Sequence, residues 1–118
     1  MDATNINQAA PDIMDAHINY LNRVIDYLAG KIPDPLASHY TKCMLGKWYY
    51  EIAPLNPAFA NHPIFPKLGS FHQDFHAACE EAIQGHNSGN EPAAQAALQQ
   101  ARDLSAEICE ALIEFLGL

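Results

Sequence analysis

Four of the chain's eight prolines, at positions 54, 57, 63 and 66, crowd into the stretch Ala53–Pro66. Proline lacks a backbone N–H and has a fixed φ, so this stretch reads as a rigid connection and not as a helix. It separates two regions in which apolar residues recur at helical spacing. No stretch alternates as a half-buried strand does, and there is neither an internal repeat nor a low-complexity tract.

Before the connection, Asp12 is placed to cap a first helix after Pro11. Ile13, His17, Leu21, Val24 and Leu28 then form one stripe, with Tyr20 at its border. Gly30, Pro33 and Pro35 end it. After the loop Pro33–Tyr40, a second helix is expected from about Thr41 to Ile52, with Cys43 and Gly46 on one face. A glycine inside a helix is unfavourable by about 1 kcal/mol, so the close approach of a neighbouring helix is expected at Gly46. Beyond the connection, a third helix is expected from about Pro66 to about Gly85, with the stripe Leu68, His72, Phe75, His76, Cys79 and Ile83. The turn His86–Asn90 leads to a last helix, capped by Asn90, that reaches about Leu116. Its inward positions are Ala94, Leu98, Ala101, Leu104 or Ser105, Ile108, Leu112 and Phe115. The expected fold is all-α: an antiparallel four-helix bundle with a proline-rich connection between its second and third helices.

At this length the chain is expected to form one domain, residues 12–118, behind a flexible N-terminus of residues 1–11. No apolar run approaches the roughly 18 residues of a membrane span. Met1–Ala10 has no basic and apolar regions in signal-peptide order, so the expected compartment is the cytoplasm. The formal net charge is −8, and Arg102 is the only lysine or arginine after Ser70. That balance argues against nucleic acid and anionic membranes as partners. Three cysteines are an odd number, which argues against a closed disulfide framework and leaves them as core thiols or ligands.

His72 and His76 stand at i and i+4, one turn apart on one helix face, where both imidazoles can reach one ion. His17 and Cys43 lie on, or next to, the inward stripes of other helices. Spacing alone leaves two readings open: a set of hydrogen-bonded polar residues in the core, or one metal site satisfying all four. If there is a metal, three imidazoles and a thiolate suit tetrahedral Zn²⁺ and not Mg²⁺ or Ca²⁺. Cys79 shares the histidine face and is a weaker candidate, best read as a buried core thiol. His39, four before Cys43, is read as a loop residue near the site, and Cys109 as structural.

The segments His17-Ile18-Asn19-Tyr20, Cys43-Met44-Leu45-Gly46-Lys47-Trp48 and His72-Gln73-Asp74-Phe75-His76 resemble, in order and spacing, the signature of the chemoreceptor zinc-binding (CZB) domain. Tyr20, three after the histidine, stands where many members carry tryptophan, a departure expected to touch packing and not ligation. The resemblance implies a homodimeric four-helix bundle with one Zn²⁺ held by His17, Cys43, His72 and His76. It also implies a sensory role beside a chemotaxis receptor or a diguanylate cyclase, reporting zinc or oxidants such as hypochlorous acid.

Three roles follow for such a site. In a sensor, the zinc-bound thiolate of Cys43 is the oxidisable group. In a structural staple, the ion only joins helices. A zinc hydrolase needs an open fourth position and a general base, and no glutamate accompanies the histidine pair, so the chain is not expected to be an enzyme.

Overall fold

The computed structural model describes residues 6–116, and the side chains of residues 12–114. Among them every regular element is helical. The elements are α1 (Ile6–Leu28), α2 (Met44–Lys47), a π-helical turn (Trp48–Ile52), a 3-10 turn (Ala53–Leu55), α3 (Pro57–Ala60), α4 (Phe65–Asn87) and α5 (Glu91–Leu116).

The helix α1 starts at Ile6, six residues before the expected cap at Asp12. Of the expected flexible N-terminus, residues 1–5 lie outside the described residues, and the rest is helix. The stripe Ile13, His17, Tyr20, Leu21 and Val24 is buried as its periodicity requires. Gly30, at φ 76°, ends the helix. Its N–H donates to the Tyr27 carbonyl and that of Lys31 to the Asp26 carbonyl, the paired bonds of a left-handed C-terminal cap. The same two bonds close α4, from Gly89 to His86 and from Asn90 to Gly85. Asn90 then caps α5 by accepting from the Ala93 N–H through Oδ1. The three residues between α4 and α5 make them a hairpin. Small buried residues, Ala78 and Ala82 on one helix and Ala94, Ala97 and Ala101 on the other, let the two approach closely. Ser105, not Leu104, takes the inward position on α5; Phe115 lies outside the described side chains.

The second expected helix is where the structure departs from the pattern. Thr41–Ile52 is not one α-helix but a single α turn that widens into a π turn and then tightens at Pro54. A π turn inserts one residue and shifts the register by one. Accordingly Ala53, and not Ile52, is fully buried, while Leu45, Trp48 and Tyr49 still reach the core. Tyr49 stacks on Phe65 and its hydroxyl donates to the Phe65 carbonyl, which pins this broken segment to the start of α4. Tyr20, Trp48 and Tyr49 are core residues of this chain. Among the described residues no helix is long and apolar enough to cross a membrane.

Candidate metal centre

Cys43 stands at the N-cap of α2, with extended backbone (φ −73°, ψ 165°), and not inside a helix. Its Sγ accepts from the Gly46 N–H at 3.3 Å, the role an N-cap oxygen usually fills. Gly46 is required here, though not by a neighbouring helix. A Cβ at this position would lie 1.8 Å from the Tyr40 carbonyl oxygen and 3.1 Å from the Thr41 Cα. The chain therefore turns back over Gly46 just before Cys43, and that turn fixes the thiol's direction.

His72 and His76 project from one face of α4 with ring centroids 4.7 Å apart. The structure brings the ligand atoms of Cys43, His72 and His76 within 4.8 Å of one another. His72 Nε2 is 3.1 Å from Cys43 Sγ. Around a tetrahedral zinc, with Zn–S about 2.3 Å and Zn–N about 2.0 Å, donors sit about 3.3 to 3.6 Å apart. The observed separations therefore bracket the spread that one ion needs.

His17 is not within that group. Its Nε2 lies 2.9 Å from Ser105 Oγ on α5, and its ring is 4.6 Å from that of Phe75. It does line, with Cys43 and His76, one small cavity of about 10 Å³. Cys79 is fully buried and outside the group, its thiol pushed up to about 12 by burial. His39 is an exposed loop residue whose ring bonds Thr41.

The protonation states suit ligation. Burial first, and neighbouring histidines second, lower His17 to about 4 and His72 to about 3. Burial lowers His76 to about 4 against the opposing effect of its bond to Ser38. All three are neutral at pH 7 and each has one lone-pair nitrogen. Burial also raises the Cys43 thiol, opposed by the backbone N–H groups of Gly46 and Leu45 and by Lys47. A metal at Sγ would replace the lost solvation and favour the thiolate. One buried donor atom supports the fit independently: His76 Nδ1 donates to the Ser38 carbonyl at 3.1 Å, so Nε2 carries the lone pair. His72 Nδ1, by contrast, is buried without a partner.

Three features of the site are not legible as side-chain types. The Ser38 carbonyl is a backbone group. The Tyr20 hydroxyl bonds both the N–H and the carbonyl of Ser38, at 3.3 Å each, so this tyrosine does touch the ligand environment. Ser105 shares its helix neighbourhood with the more apolar Leu104, and only the reach of His17 singles it out.

The sequence profile of the chemoreceptor zinc-binding domain matches residues 17–83, a span that opens on His17 and contains Cys43, His72 and His76. No curated protein and no solved structure matches the chain. With that profile covering more than half of its length and the cysteine and both α4 histidines converging inside it, the chain belongs to the chemoreceptor zinc-binding domain family.

Proposed function

We propose that this domain is a sensory module that binds one Zn²⁺ through Cys43, His72, His76 and, as fourth ligand, His17. The observation that carries the reading is the convergence of one thiol and two neutral imidazoles within 4.8 Å in the interior. When bound, the ion would hold Cys43 as a thiolate and join α1, α2 and α4. On this reading the domain is an antiparallel four-helix bundle whose second member is the broken segment from Cys43 to Leu55.

The responsive group is Cys43. It is half-buried, so a small oxidant can reach it. A thiolate meeting hypochlorous acid loses two electrons to it, giving a sulfenic acid and chloride. The sulfenic sulfur is a poorer ligand, and Cys43 leads into one α turn, a π turn and a 3-10 turn. Such a segment can rearrange without unravelling a long helix. A homodimer coupled to a chemoreceptor or diguanylate cyclase output is the assembly we assign to it, in the cytoplasm.

The test is elemental analysis of the wild type and Cys43→Ala, each before and after a stoichiometric pulse of hypochlorous acid. One zinc per wild-type chain, lost on oxidation and absent from the variant, supports the sensor. Zinc retained through the pulse makes the ion a staple. A wild type without zinc overturns the reading.

A further inference from the structure

The α5 helix lies wholly outside the matched span 17–83, yet it supplies the polar partner of the one candidate ligand that stands apart from the other three. His17 and Ser105 are both buried, at 5% exposure each, and 88 residues apart in sequence. A hydroxyl at this inward position of α5 has no packing rationale, because the flanking inward residues Ala101, Ile108 and Leu112 are apolar and fully buried. A buried hydroxyl without a partner is unfavourable, so its presence points to a bond that the fold needs.

We propose that Ser105 is a positioning residue for His17: its oxygen accepts the Nε2 proton, which fixes the ring's tautomer and leaves Nδ1 as the nitrogen that completes the metal site.

The proton count favours that direction. Ser105 Oγ carries one proton and two acceptor lone pairs, and His17 Nε2 lies 2.9 Å from it. A serine hydroxyl inside a helix commonly gives its proton to the carbonyl one turn back, which leaves Oγ to accept from His17. Neutral His17 then carries its proton on Nε2 and its lone pair on Nδ1. His17 lines the same small cavity as Cys43 and His76, two of the three converging donors. The arrangement parallels His76, which gives its Nδ1 proton to Ser38 and keeps Nε2 free. Ligating histidines characteristically donate their other N–H in this way. It also makes α5 part of the site: metal occupancy and α1–α5 packing then share the His17 ring.

The inference rests on the zinc-binding reading above, and its test separates the two. The His17 tautomer is read by ¹⁵N NMR in metal-free wild type, Ser105→Ala and Ser105→Thr. Zinc affinity is read in the same proteins by competition with a chromophoric chelator. The expected result is a protonated Nε2 in the wild type, a mixed tautomer with roughly 10- to 100-fold weaker zinc binding in Ser105→Ala, and recovery of both in Ser105→Thr. A wild-type His17 protonated on Nδ1 overturns the proposal, with no variant needed. So does a Ser105→Ala protein that binds zinc as tightly as the wild type, or more tightly. A wild type that binds no zinc overturns the zinc-binding reading itself, and this proposal with it.

Discussion

The Nδ1 atom of His76 lies 3.1 Å from the carbonyl oxygen of Ser38. A carbonyl only accepts, so this contact alone decides which ring nitrogen faces the cluster. The Ser38 peptide is held in turn by the Tyr20 hydroxyl, at both its N–H and its carbonyl. The Tyr20 ring also packs on His76, with centroids 4.6 Å apart. Removing only the hydroxyl, in Tyr20→Phe, keeps that packing and frees the loop. The expected loss is about 1 kcal/mol of stability and a several-fold weaker affinity for zinc. Urea unfolding and chelator competition measure the two. Unchanged zinc affinity would return Tyr20 to packing alone.

Gly46→Ala tests how tightly the turn before Cys43 is built. The added Cβ meets the Tyr40 carbonyl oxygen at 1.8 Å and its carbon at 2.9 Å. Both are backbone atoms, so relief requires the whole turn to move, and the thiol with it. A destabilisation on the order of 2–4 kcal/mol is expected, more than the better helix propensity of alanine returns. Thermal unfolding reads the stability and elemental analysis reads the loss of zinc.

What was legible in the sequence was local. The i, i+4 pair of His72 and His76, the stripe through His17 and the caps at Gly30 and Asn90 each depend on residues within a turn or two of one another. The Cys43 environment was not, because its conformation is set by long-range packing. The hold of Tyr49 on Phe65 and the turn of Tyr40 over Gly46 override the helical spacing of Thr41–Ile52, and Cys43 becomes a cap. Leu104 and Ser105 are adjacent on α5, and helical periodicity alone does not choose between neighbours at the edge of a stripe. Only the position of His17 does.

Acid should destabilise the metal-free protein. His17, His72 and His76 fall from an unfolded value of 6.5 to about 4, about 3 and about 4 in the folded state. The unfolded chain therefore binds more protons wherever the pH lies below 6.5, and stability rises with pH. The contribution is fully present above about 6.5 and is lost as pH falls toward 4. Between pH 7 and pH 5, above the usual carboxylate range, the loss is on the order of 1–2 kcal/mol per histidine. Urea midpoints at the two pH values measure it. A midpoint that is flat or rises on acidification would mean that the three rings are solvated.

Zinc should act on stability through the same residues. An ion that binds only the folded state adds RT ln(1 + [Zn]/Kd), about 2.7 kcal/mol at one hundred times Kd. For a domain of this size that corresponds to a rise in Tm of roughly 10 °C. The rise should be lost in Cys43→Ala and in His76→Ala, because each removes a donor from the group of three. His17→Ala should keep part of it, since the three remaining donors already converge without His17. In Cys43→Ala the Gly46 N–H also loses its sulfur acceptor, so the metal-free variant should itself melt a few degrees lower. Thermal melts of the four proteins with and without zinc, in buffer free of chelating thiols, separate the capping role of Cys43 from its ligating one. If Cys43→Ala keeps the full zinc-dependent rise, the thiol is a cap and not a ligand.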